Sequence, residues 1–118
     1  MDARNLGAQA ERRAEAYLRG RGFEILERNY RAPCGELDLV AREGKILVFV
    51  EVRSRASDAF GGAQESIGAA KRKRWVKTAR LYLEKIRWEG EVRFDVVAFN
   101  DGRLTHIPEA FHPQAPGF

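Results

Sequence analysis

Residues 35–55, Gly-Glu-Leu-Asp-Leu-Val-Ala-Arg-Glu-Gly-Lys-Ile-Leu-Val-Phe-Val-Glu-Val-Arg-Ser-Arg, decide how this chain folds. Alternating side chains predict two strands, and Arg42-Glu43-Gly44-Lys45 predicts the turn between them, with Gly44 supplying the positive φ that a two-residue turn needs. In the second strand, Ile46, Val48, Val50 and Val52 fall on one face, and Lys45, Leu47, Phe49, Glu51 and Arg53 on the other. In the first, Leu37, Leu39 and Ala41 oppose Glu36, Asp38 and Val40. If Arg42 pairs with Lys45, Glu36 lies opposite Glu51, and Asp38 lies opposite Phe49 with Glu51 on its diagonal, about 7–8 Å away. Glu36, Asp38, Glu51 and Arg53 then share a face, and the opposite, apolar face is core. A slip of one residue would instead put Asp38 and Glu51 on opposite sides of the sheet.

Carboxylates in such a hairpin require a reason. Burying an uncompensated acid costs several kcal/mol, so buried acids sit beside a cation, and a cluster of them points to a metal. Hard oxygen ligands suit Mg²⁺ or Mn²⁺, and one cation can bridge a diagonal pair. The competing reading is a pair of edge strands whose acids face water or pair with arginines.

The rest of the chain supplies the setting. Its 118 residues are enough for one core, so a single domain over 1–118 is expected, with a tail from about Pro113 that frays. Apolar residues make up 44% and charged residues 32%, the balance of a globular domain in the cytoplasm. The longest apolar run in the hairpin, Ile46 to Val50, is too short to span a membrane, and no signal peptide is visible. Cys34 is the sole cysteine, which excludes an internal disulfide and a cysteine zinc motif. The net charge of +4 is concentrated between Lys71 and Arg93, where Lys71, Arg72, Lys73, Arg74 and Lys77 lead a basic field suited to phosphates.

Ala3 to Leu18 carries apolar residues at helical spacing, and Glu11 lies close enough to that stripe to lean towards the sheet. Phe23 to Tyr30 predicts a strand, and Ala32-Pro33-Cys34-Gly35 a turn into the hairpin. Ser54 to Gly62 has no clear period, so a loop is expected there, beside the acids, where it could close over a substrate. Ser66 to Ile86 predicts the longest helix, its Trp75 and Tyr82 serving the core, with Lys71 and Arg72 able to point back over the sheet. Arg93 to Phe99 and Arg103 to Pro108 predict two more strands around the turn Asn100-Asp101-Gly102. The strand ending at Arg53, the long helix and the strand from Arg93 form a β-α-β crossover. The fold class is therefore α/β, a mixed sheet flanked by helices in the order α-β-β-β-α-β-β.

That order, with an Asp on one strand and Glu-x-basic on the next, resembles the restriction-endonuclease-like core, which includes Holliday junction resolvases. More closely, Gly35-Glu-Leu-Asp-Leu-Val, Val48-Phe-Val-Glu-Val-Arg-Ser-Arg, Arg93-Phe-Asp-Val-Val and His106-Ile-Pro-Glu-Ala-Phe111 resemble the YraN family of small bacterial proteins. The resemblance implies a catalytic set of Asp38, Glu51 and Arg53, with Asp38 and Glu51 as ligands of Mg²⁺ or Mn²⁺. It also places Glu11 where the resolvase-like branch carries a helix-one glutamate. Glu36 joins the metal set from the hairpin register rather than from the family pattern. Arg53 stands where a lysine is usual; it stays protonated and so cannot be a general base, although it can hold a phosphate oxygen bidentately.

Three functions remain open from the sequence. One is a metal-dependent nuclease acting on branched or structured DNA, with Lys71, Arg72, Lys73, Arg74, Lys77 and Arg55 binding the nucleic acid. A homodimer would suit a branched substrate, because one small domain presents a short face. The second is a nucleic-acid-binding module without turnover, and the third an interaction protein whose acids pair with Arg53, Lys71 and Arg72. His106 and His112 read as a strand and a tail histidine, and Cys34 as a thiol without a catalytic role.

Overall fold

Ala10, Ala14 and Leu18, each a helical turn apart, are buried in one stripe that seats the first helix, α1 (Ala3–Gly20), on a five-stranded sheet. The structure is a computed structural model describing residues 3–55 and 68–113, with side chains for 7–54 and 68–113. Three expectations fall outside that description: most of the loop after Ser54, the helix start at Ser66, and the tail beyond Pro113. The Phe23 N–H donates to the Leu18 carbonyl and the Gly22 N–H to the Arg19 carbonyl, which closes α1.

The strands are β1 (Glu24–Ala32), β2 (Gly35–Glu43), β3 (Ile46–Arg55), β4 (Glu91–Asn100) and β5 (Arg103–Ile107), and the second helix, α2 (Ala69–Ile86), lies between β3 and β4. They stand in the order β1-β2-β3-β4-β5. All neighbours are antiparallel except β3 and β4, the parallel pair the crossover requires. The α-β-β-β-α-β-β mixed sheet expected of a restriction-endonuclease-like core is the observed one. Among the described residues no helix is long and apolar enough to cross a membrane.

Both faces of the sheet are core, whereas one had been expected. Leu39, Ala41, Val48, Val50, Val97 and Phe99 pack under α1. Val40, Leu47, Phe49, Phe94, Val96 and Ala98 pack under α2 against Trp75, Ala79 and Tyr82. Double coverage explains why β3 opens as a continuous apolar run. The Phe94 ring stacks on Phe49 with centroids 5.4 Å apart and meets Trp75 edge-on at 5.2 Å, so aromatic packing fixes the first half of α2 over the sheet.

The hairpin register differs from the expected one by two residues. Gly44, at φ 59°, is the first turn residue and not the second, so Glu43 pairs with Ile46 and Leu39 with Val50. A displacement of two preserves which side chains share a face, so the acids stay together. The β2–β3 pairing ends at Leu39 and Val50, just short of Asp38 and Glu51, and Glu36 pairs instead with Arg31 of β1. Ser54 and Arg55 belong to β3, paired with Phe99 and Asn100, and are not the start of the loop.

Candidate functional site

The candidate site forms where β2 leaves β3. Their ladder is paired up to Leu39 and Val50, and beyond it the carboxylate of Asp38 accepts the Val52 N–H at 2.9 Å. A side chain thereby satisfies a main-chain donor that the parting strands would leave unpaired. At this point the alternation of β2 also breaks, because Leu37 joins the core under α2 while Leu39 lies under α1. Gly35 allows β2 to enter against α2: a Cβ there would stand 2.8 Å from the Thr78 hydroxyl, which itself donates to the Arg74 carbonyl.

Glu36, Asp38, Glu51, Lys71, Arg74 and Trp75 line a cleft of about 260 Å³ at the mouth of this fork. Glu51 is buried, 6% exposed, and meets the Lys71 ammonium at 2.9 Å and Arg53 Nε at 3.7 Å. Burial comes first in pushing the Asp38 carboxyl up to about 8, followed by the charge of Glu51. Glu11 approaches from α1. Burial raises its pKa, and the charges of Glu36 and Glu51 add to that rise, while a hydrogen bond from Asn29 opposes it. With its amide nitrogen facing the carboxylates, Asn29 donates to Glu11 Oε2 and Glu36 Oε1, each at 3.2 Å.

Glu11, Glu36, Asp38 and Glu51 thus lie within mutual electrostatic reach, although Glu11 opens onto the adjoining pocket beside Arg12, Glu15 and Arg28. Among the described residues no three acids, histidines or cysteines converge on one metal-binding point. Arg53 adds an unusual feature. Among the described residues its buried Nε and Nη2 have no hydrogen-bond partner, Nε making only the 3.7 Å ion pair with Glu51, so the guanidinium has donor capacity to spare beside that acid.

The basic residues divide between two places. Lys71 and Arg74 face the acid cleft, while Arg72, Lys73 and Lys77 line a second groove on α2, where Arg72 stacks over the Phe111 ring at 5.5 Å instead of pointing back over the sheet. The side chain of Arg55 lies outside the described residues. Cys34 contacts the Thr78 hydroxyl through Sγ at 3.4 Å.

A second charged centre escaped the sequence reading. Asp95 on β4 is fully buried and takes two bonds from Arg93, at 2.8 and 2.9 Å, one from His106 Nε2 at 2.8 Å and one from the Glu109 N–H at 3.1 Å. His106 Nδ1 in turn meets the Tyr17 hydroxyl at 3.2 Å, and Arg93 also reaches Glu43 at 2.8 Å. Burial pushes the Asp95 carboxyl up, but the His106 and Arg93 hydrogen bonds outweigh it and hold the pKa below the usual carboxylate value. The Arg-x-Asp spacing on a strand was the signal available, since it puts both side chains on one face.

Comparison with known proteins matches residues 10–99 to the model of the uncharacterised protein family UPF0102. A UPF0102 protein of Janthinobacterium sp. (strain Marseille) is 47% identical over 109 residues, covering 92% of this chain and 89% of that one. One from Anaeromyxobacter dehalogenans is 50% identical, covering 90% of this chain and 83% of its own. One from Thermodesulfovibrio yellowstonii is 42% identical, covering 90% and 95%.

Proposed function

The chain belongs to the UPF0102 family, the YraN family its motifs resemble, and we propose that it is a metal-dependent phosphodiester hydrolase acting on nucleic acid, with branched or structured DNA as the expected substrate. The observation that carries this reading is the pairing of starved acids with an under-used guanidinium: Asp38 and Glu51 repel each other beside Arg53, whose buried Nε and Nη2 have no hydrogen-bond partner among the described residues. A divalent cation supplies what the acids lack, and a phosphate supplies what Arg53 lacks.

The donor set fits Mg²⁺ or Mn²⁺, since every candidate ligand is a hard oxygen, and the raised pKa values of Asp38 and Glu11, due first to burial and then to neighbouring acids, mark carboxylates that a cation would stabilise. Asp38 and Glu51 would hold the ion, with Glu36 in the same cleft and Glu11 near enough to feel the charges of Glu36 and Glu51. When bound, it would lower the pKa of water and neutralise charge developing on phosphate. Arg53 orients a phosphate oxygen and stabilises the charge that grows on it. Glu36, the exposed acid of the cleft, accepts the proton of the attacking water. Lys71 withdraws from Glu51 to meet a phosphate. The chain is expected to work as one cytoplasmic domain, and a homodimer would set two clefts on a branched substrate.

A specific observation also favours a binding module without turnover, because the Lys71 ammonium already stands where a cation on Glu51 would be. Labelled four-way junctions, flaps, single strands and duplex RNA, incubated with the protein in Mg²⁺ or Mn²⁺, separate the two. Cleavage by the parent and none by an Asp38→Ala, Glu51→Ala double variant is the expected result. Shifted bands with no cleavage by either would overturn hydrolysis in favour of binding alone.

A further inference from the structure

The outer face of α2 carries a second concavity that hydrolysis does not use. Ala69, Arg72, Lys73, Val76, Lys77 and Arg80 recur at intervals of three and four, so they share one helical face. Together with Phe111, His112 and Pro113 they enclose a groove of about 540 Å³, roughly twice the volume of the acid cleft. Its charged lining residues are all basic. Its floor is apolar: Val76 and Phe111 are half-buried against the core under α2. Arg72 already holds its guanidinium over the Phe111 ring, 5.5 Å from its centre, so an incoming base would take the place of the cation on the ring and the freed guanidinium would turn to a phosphate.

We infer that this groove seats an unpaired nucleotide of single-stranded nucleic acid, its base against Val76 and Phe111 and its flanking phosphates on Arg72, Lys73 and Lys77. The chemistry is selective. A phosphate alone has no use for an apolar floor, and an apolar ligand has none for a wholly basic rim, whereas a nucleotide presents a flat π face and an anion together. A paired base is stacked on its neighbours and cannot enter. From Arg72 to Arg80 the helix rises about 12 Å, enough for more than one nucleotide along the rim.

The position on α2 ties the groove to the acid cleft. Lys71 faces Glu51 and the next residue, Arg72, faces the groove, so a strand held in the groove reaches the acids across a single turn of the helix. The inference rests on the nucleic-acid reading and deepens it. It identifies the recognised structure as a single-stranded segment beside the position of chemistry.

The test is fluorescence anisotropy in EDTA with a labelled single-stranded oligothymidylate, an abasic strand of equal length and a duplex. The oligothymidylate should bind about tenfold more tightly than the abasic strand. A Lys73→Ala, Lys77→Ala double variant, altered only at exposed positions, should keep its thermal midpoint. Its single-strand salt slope should fall by about 1.4, as expected for two lost phosphate contacts. Equal affinity for the based and abasic strands would overturn the inference, as would undiminished binding by the double variant. Displacement of the oligonucleotide by a polyglutamate peptide at equal concentration would reassign the groove to an acidic protein. The two readouts on the parent separate the two proposals: base-dependent binding without any cleavage defeats hydrolysis alone, and cleavage, absent in the Asp38→Ala, Glu51→Ala variant, with base-independent binding defeats the groove alone.

Discussion

Two aspartates in this molecule, one buried and one half-buried, live under opposite regimes. Asp95 is saturated, with four hydrogen bonds from Arg93, His106 and the Glu109 N–H around a fully buried carboxylate. Asp38 receives a hydrogen bond from the Val52 N–H and otherwise faces Glu51 and, more distantly, Glu11. The pKa of the first is lowered and that of the second raised. Folding alone would select the first arrangement, because compensated charge holds β4, β5 and α1 together. The second weakens the native state when nothing else is bound, so it makes physical sense as a site for something else.

The largest expected effect follows from breaking the saturated centre. Asp95→Ala takes two of three hydrogen bonds from the Arg93 guanidinium, only 15% exposed, leaving it Glu43, and takes from His106 its Nε2 partner, leaving it Tyr17. Removing one member of a buried pair costs about 3–5 kcal/mol, which in a domain of this size lowers Tm by roughly 12–20 °C, read by circular dichroism. The pH dependence has a definite sign. Because the folded pKa of Asp95 lies below the ordinary carboxyl value of 3.8, its contribution is fully present above that value and is lost as pH falls through the folded pKa. Urea midpoints of the parent should therefore drop between about pH 5 and about pH 3, and more steeply than those of Asp95→Ala. Parallel declines would mean that Asp95 is not compensated as described.

The starved centre should respond in the opposite way. Asp38→Asn keeps an acceptor for the Val52 N–H and removes the repulsion with Glu51, so stability should stay within about 1 kcal/mol of the parent or rise. Mn²⁺ binding, measured by calorimetry, should weaken by on the order of 100-fold. Unchanged Mn²⁺ affinity would remove Asp38 from the ligand set, and a loss of stability like that of Asp95→Ala would erase the contrast between the two centres.

How much of this was legible in the sequence follows from the range of each interaction. The hairpin announced itself because alternation and a glycine turn are local, and an error of two in register left the faces of its paired part intact, although the break at Leu37, which joins the α2 side, was not foreseen. The joint coverage of the sheet by α1 and α2 was partly visible in the apolar run from Ile46 to Val50, although the acids drew attention to one face only. Asn29 was not legible as a bridge between Glu11 and Glu36, since that contact joins a strand, a helix and a second strand. Nor was the Asp95 centre, whose partners His106 and Glu109 lie more than ten residues away and whose third support, Tyr17, comes from α1. Local chemistry can be read from sequence; convergence needs the fold.

The smallest effect is the sharpest test of what the starved site awaits. Lys71 reaches the buried Glu51 at 2.9 Å with a side chain itself 35% exposed, and Arg53 remains 3.7 Å from Glu51 when Lys71 is removed, so the loss should stay within about 1 kcal/mol. Lys71→Met should therefore leave Tm nearly unchanged. Its ammonium nevertheless occupies the electrostatic place of a cation on Glu51, and a metal must compete with it. Removing that competitor should raise Mn²⁺ affinity by about threefold to tenfold, the equivalent of roughly 1 kcal/mol. Binding of a junction or single strand in EDTA should fall, because the same ammonium is a phosphate contact. If both affinities fell together, Lys71 would be a positioning group for Glu51 rather than its resident counter-charge. The difference between the two aspartates would then reflect incomplete compensation within one structural network, not a vacancy for a ligand.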